Sequence, residues 1–146
     1  MTGVGLLQRG GAPQQQHDQF EKRVVTTGLA NPFQLVWGPD DHLWVTERTA
    51  GRITRVRLAD GAKTTAVTIA DVLQHDGPGG LLGMALDPGL LKGAGNDFVY
   101  AASPTTPIPI RKEIEPRTKI VRFTYDRERF TLGSPKDILA NLAIRN

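Results

Sequence analysis

The residues in this chain that could do chemistry are few and scattered. The run His75-Asp76-Gly77-Pro78-Gly79-Gly80 sets an imidazole and a carboxylate among glycines. Glycine lets backbone come close to a bound molecule, so this run could edge a pocket. The same composition also suits an ordinary connection between repeats. It is not a dinucleotide fingerprint: Leu82 stands where the third glycine of Gly-x-Gly-x-x-Gly belongs, and no strand–helix–strand unit surrounds it. The histidines are His17, His42 and His75, and none has a second histidine at metal-ligand spacing, so no metal site is expected. His42 falls in a predicted hairpin turn, and His75 could face a ligand mouth. Glu47-Arg48 follows an apolar run and could form an ion pair within a sheet or point toward a ligand axis. No carboxylate pair shows acid/base spacing, and no Gly-x-Ser-x-Gly elbow occurs. Cysteine is absent, which excludes disulfide scaffolds, cysteine zinc sites and thiol nucleophiles.

The elements that must position these residues are short and apolar. Gly and Pro together make 26 of 146 residues, well above the average of about 12%, which predicts many turns. Phe20–Leu29 is a first strand candidate, centred on Val24 and Val25. Phe33–Trp37 ends at the turn Gly38-Pro39-Asp40-Asp41. Leu43–Thr46 is rich in β-formers. Ile53–Leu58 alternates, with Thr54, Val56 and Leu58 on one face and Arg55 and Arg57 on the other. Ala59-Asp60-Gly61 reads as a hairpin turn, and Thr64–Ile69 closes the group. The pattern then returns. Leu81–Leu86 stops at Asp87-Pro88-Gly89, with Pro88 lying 49 positions after Pro39. Phe98–Ala102, Lys119–Tyr125 and Ile138–Ala140 follow. A helix over 81–91 is the alternative there, opposed by Gly83 and Pro88. Residues 103–117 hold four prolines and are expected to form a long loop or insertion rather than a strand.

Four strands repeated at a spacing of 40–50 residues is the signature of β-propeller blades. The expected fold is all-β: about two four-stranded blades of a partial propeller over 20–146, with repeats near 33–70 and 81–142, after a disordered leader over 1–19. Two blades do not close a ring, and their outer faces are expected to be apolar and open, which allows self-association. The chain is therefore expected to be a piece of a larger propeller.

Charge excludes little. The net charge is +3, and the basic residues around 52–63 and 111–129 could meet an anionic partner or form a solvated sheet face. Few aromatics interleave them, so no nucleic-acid partner is expected. No apolar run reaches the roughly 18 residues of a membrane span. Val4-Gly5-Leu6-Leu7 is too short for a signal peptide core.

A set of segments in order carries a resemblance. It runs Asn31-Pro32, Leu35-Val36-Trp37-Gly38-Pro39-Asp40, Leu43-Trp44-Val45-Thr46-Glu47-Arg48, Gly51-Arg52-Ile53 and Arg55-Val56. It continues with Asp76-Gly77, Gly80-Leu81-Leu82-Gly83, Asp87-Pro88 and Phe98-Val99-Tyr100. Over residues 20–142 this resembles the N-terminal part of the soluble glucose dehydrogenases that use pyrroloquinoline quinone (PQQ), with their aldose and sorbosone dehydrogenase relatives.

The resemblance implies a six-bladed propeller, with PQQ and Ca²⁺ near its axis. It implies oxidation of an aldose to a lactone, electrons passing to an external acceptor, and a periplasmic or secreted location. A histidine base would follow a segment like Asp137–Leu142, where this chain ends, so no catalytic residue is expected within it. Most cofactor ligands would likewise belong to later blades. The pocket edge would be His75, Asp76, Gly77, Pro78 and Gly79. The family pattern has a glutamine where Pro78 stands, and proline cannot supply a side-chain donor. The chain alone is expected to be inactive. The alternative is a non-enzymatic propeller segment that assembles with copies or partners.

Overall fold

Alternating apolar residues punctuated by tight turns fold this chain into two antiparallel sheets. The computed structural model describes residues 20–70, 72, 79–110 and 113–143. The first sheet contains β1 (Pro32–Trp37), β2 (His42–Glu47), β3 (Arg52–Arg57) and β4 (Lys63–Thr68). The second contains β5 (Met84–Leu86), β6 (Phe98–Ile110), β7 (Glu113–Asp126) and β8 (Thr131–Ala143). Both are four-stranded and run in sequence order, with every neighbour antiparallel. The sheets stack with β1 beside β5 and β4 beside β8, so successive sheets keep the same order from one edge to the other. This is a partial β-propeller. The helix alternative over 81–91 is not what forms: β5 and a run of turns occupy it.

Strand periodicity decides what faces the interior. Val36, Trp44 and Arg55 are cross-strand neighbours on the face of the first sheet that meets the second. Val99 pairs with Phe123, and Ala101 with Val121, on the facing side of the second sheet. Trp44, Ile53, Leu81, Met84, Val99, Val121, Phe123 and Tyr125 form one buried cluster between them. The Trp44 and Tyr125 rings meet edge to face, centres 5.3 Å apart and planes at 69°. Such a pair adds about 0.5–1.5 kcal/mol to the burial of its own area.

Phe20–Leu29 is not a strand but an extended strap. It crosses the outer face of the first sheet. Glu47 and Lys63 both point to that face by register, and both hold the strap. Ala30 N donates to Glu47 Oε2 at 2.6 Å, and Lys63 Nζ donates to Thr27 O at 2.6 Å. Thr26 Oγ1 donates to Gly61 O at 3.1 Å, and Arg23 Nη2 to Leu58 O at 3.1 Å. Val45 and Val56 lie on this side and are buried, whereas Val24, an expected core residue, is 72% exposed. The strap bonds through side chains and turn carbonyls, so it joins no ladder. Beside it the β1 side chains Phe33, Leu35 and Trp37 remain more than half exposed.

Residues 103–117 also depart from expectation. The described residues 103–110 and 113–117 continue β6 and β7 as one long hairpin, with Pro104 opposite Thr118 and Pro109 opposite Ile114. The reason is positional. β5 pairs with β6 only at 99–101, so among the described residues no strand lies against the far edge of β6 beyond Ala102 for its prolines to disrupt.

Candidate functional site

The sequence singles out His75–Gly79. His75, Asp76, Gly77 and Pro78 lie outside the described residues; Gly79 is described and is buried. What the structure gives is the anchor of that loop. Leu81 N donates to Arg48 O at 3.0 Å, at the end of the β2–β3 hairpin. Gly80 has φ +98°, and a Cβ there would stand 2.4 Å from Arg48 O. Only glycine fits that backbone and that contact. Next, Leu82 N donates to Ala102 O and Ala102 N to Gly83 O, at 3.0 and 2.8 Å, which lays the segment on β6. Gln34 Oε1 then accepts Met84 N at 2.6 Å, tying β1 to β5. The loop therefore returns to the structure between the two sheets, at their β1 and β5 edges.

Beside this anchor lies a fully buried carboxylate. Glu47 is 0% exposed. Arg52, its cross-strand partner, donates from Nε to Oε1 and from Nη2 to Oε2, both at 2.8 Å. Thr54 Oγ1 and the Ala30 amide also donate to it. The Arg52 guanidinium first, helped by these other donors, holds the Glu47 carboxyl down at about 2 against the burial that opposes it. Glu47 thus pairs with Arg52, across the hairpin, and is held within the sheet. That register became visible only with the fold.

A second charge cluster joins the sheets. Arg55, 3% exposed, donates to Asp40 Oδ2 from Nε at 2.9 Å and also from Nη2. Its guanidinium lies 5.3 Å from the Trp44 ring centre, 5.4 Å from Tyr125 and 5.2 Å from Phe130. Arg55 was expected on a solvated or anion-binding face, and it is neither. Arg57 pairs instead with Asp60 at the surface. His42 begins β2 and turns Nδ1 to the Asp40 carbonyl; His17 lies outside the described residues.

The sequence reading missed Gln34 and Arg55. Gln34 did leave a signal, as the one polar residue in Phe33–Trp37. A groove of about 570 Å³ lies elsewhere, between β4, β7 and β8, lined by Val67, Ile69, Val121, Phe123 and Leu132 with Lys119 at its rim.

Among the described residues no cluster of three or more His, Asp or Glu is placed to hold a metal ion. Arg52 and Arg55 are committed to Glu47 and Asp40. No chemical step is assigned to the described residues. Among the described residues no helix is long and apolar enough to cross a membrane.

Comparison with known proteins identifies the family. Residues 29–144 match the family model of glucose/sorbosone dehydrogenases. The chain is 35% identical over 127 residues to quinoprotein glucose dehydrogenase B of Acinetobacter calcoaceticus, covering 86% of this chain and 26% of that protein. The PQQ-bound aldose sugar dehydrogenase of Streptomyces coelicolor superposes with a TM-score of 0.66 at 32% identity, over 81% of this chain and 32% of the other. The apo aldose sugar dehydrogenase of Escherichia coli, 18% identical, shares the fold with a TM-score of 0.64, again over 81% of this chain and 32% of the other. The chain thus spans about a quarter to a third of the length of these relatives. With its two stacked sheets and the ordered motifs of β1 to β6, this chain belongs to the glucose/sorbosone dehydrogenase family.

Proposed function

We propose that this chain supplies two blades of a PQQ-dependent sugar dehydrogenase that oxidises an aldose to a lactone and passes the electrons to an external acceptor. The observation that carries this reading is the family match over 29–144. Within it, the anchoring of Gly80 and Leu81 at the β1 and β5 edges supports His75, Asp76, Gly77, Pro78 and Gly79 as an edge of the pocket for quinone and sugar. PQQ is named by a relative; Ca²⁺ rests on the resemblance alone. The same resemblance supports a periplasmic or secreted location. The chain by itself is inactive in this reading, because the catalytic histidine and most cofactor ligands belong to other blades.

The test is titration of the purified chain with PQQ and Ca²⁺, followed by absorbance and thermal shift. Absence of saturable binding, with binding restored when the remaining blades of a relative are fused to it, supports the proposal. Saturable binding by the chain alone overturns its claim that the pocket needs other blades.

A second reading is favoured by the exposed ridge Phe33, Leu35 and Trp37 on β1. A sheet face this apolar suits contact with another sheet, so isolated chains associate through their outer faces as a non-enzymatic assembly.

A further inference from the structure

We propose that copies of this chain dock head to tail. The β1 ridge of one copy, Leu35 and Trp37, seats on the outward face of β5 and β6 of a second copy, around Ala85 and Tyr100. This rests on the assembly reading above and names the two surfaces that meet.

The same contact is made once inside the chain. Val36, Trp44 and Arg55 form a cross-strand row on the first sheet. Met84 and Leu86 of β5 pack into the cluster on that side. The second sheet repeats the row. Ala85, Tyr100 and Arg122 are neighbours across β5, β6 and β7. They alternate with Met84, Val99 and Val121, which face the first sheet, so they point away from it. The chemistry repeats with the geometry. In the first row Trp44 Nε1 donates to Asp40 in the turn after β1, and Arg55 lies over the Trp44 ring. In the second row Tyr100 Oη donates to Asp87 Oδ2 at 3.3 Å in the turn after β5, and the Arg122 guanidinium lies 4.1 Å from the centre of the Phe98 ring. Trp44 and Arg55 are buried, whereas Tyr100 and Arg122 are half-buried and Ala85 is exposed. An apolar groove of about 200 Å³ opens there, lined by Ala85, Tyr100, Ala102 and Ile120.

Each chain also carries the matching half. The offset of 49 residues between Pro39 and Pro88 makes Leu35 the counterpart of Met84, and Trp37 that of Leu86. Leu35 and Trp37 are 57% and 53% exposed. The strap bonds to Glu47, Lys63 and Gly61 beside them and leaves β1 clear. The ridge and the groove point in opposite directions, so one chain cannot bring its own two halves together. A second copy does. Each contact leaves a free ridge at one end and a free groove at the other, so the contact is heterologous.

Two variants of the full chain test this by light scattering after gel filtration. Leu35→Arg with Trp37→Arg spoils the ridge, and Ala85→Arg fills the groove; all three positions are exposed. Each variant alone is expected to run as a monomer. Their equimolar mixture is expected to rise about twofold in mass and stop there, because both remaining ends are spoiled. Oligomers in either variant alone overturn the proposal, since they report contact between like surfaces. So does a mixture that stays monomeric while the unaltered chain associates. An unaltered chain that is monomeric throughout overturns the assembly reading as well, and leaves the groove to a further sheet of a longer protein. If either arginine variant fails to fold by circular dichroism, single cysteines decide. The chain has no cysteine of its own. A short bismaleimide is expected to join Leu35→Cys to Ala85→Cys and neither variant to itself. Self-joining, or no joining while the chain associates, overturns the proposal.

Discussion

Arg55 on β3 holds its guanidinium 5.4 Å from the ring centre of Tyr125 on β7, so the two sheets meet through a cation over an aromatic face. Asp40 anchors the other side of that guanidinium and also accepts from Trp44 Nε1 at 3.0 Å. The turn of the first hairpin thereby sets the position of a charge inside the joint between blades. Desolvation by the packing raises the Tyr125 hydroxyl above its usual range.

Removing both charges should cost less than the two separate removals added together. Arg55→Met leaves the Asp40 carboxylate, only 10% exposed, without its arginine and with the Trp44 Nε1 donor still in place. The expected loss is about 3 kcal/mol, and Asp40→Asn together with Arg55→Met should lose less than the sum of the two single changes. Urea denaturation of the four proteins measures both.

Acid should weaken the fold through Glu47. Its carboxyl titrates at about 2 in the folded chain against 4.5 for the free group. A depressed carboxylate stabilises above its unfolded value, so this contribution is complete above pH 4.5 and is lost as the pH falls from there through about 2. It amounts to at most about 3 kcal/mol. Denaturation midpoints across that range check it, and Glu47→Gln should flatten the same part of the curve.

Gly80→Ala should be among the most damaging changes of a single methyl. It asks an L side chain to adopt φ +98° and to place Cβ 2.4 Å from a carbonyl oxygen. A cost of roughly 2–3 kcal/mol is expected. Thermal unfolding reads it, with Gly93→Ala as the control for positive φ in open space.

The β1 ridge should govern self-association. Replacing Phe33, Leu35 and Trp37 with threonine keeps strand propensity and removes exposed apolar area. Light scattering after gel filtration should show fewer oligomers, with a thermal midpoint changed by only a few degrees. Unchanged oligomers would assign association to another surface.

Both sheets were legible because their signals are local. Turn residues such as Gly38-Pro39-Asp40 and Ala59-Asp60-Gly61, with β-branched runs between them, define hairpins without knowledge of the rest. Partners across a hairpin were not. Glu47 meets Arg52 because the 48–51 turn sets that register, and Arg55 is buried because a second sheet lies over it. Val24-Val25 misled because β-forming residues also suit an extended strap held by side chains. The prolines of 103–117 misled for a different reason. Their effect depends on whether a strand edge is paired, and that is a property of the whole sheet.

The prolines of the long hairpin have a protective consequence. Pro104, Pro107 and Pro109 each remove a backbone donor from β6, along the stretch where no strand among the described residues lies on its far side. A strand from another molecule that approached this edge would meet a ladder with missing rungs. The hairpin can therefore extend beyond its blade without becoming a template for fibril growth.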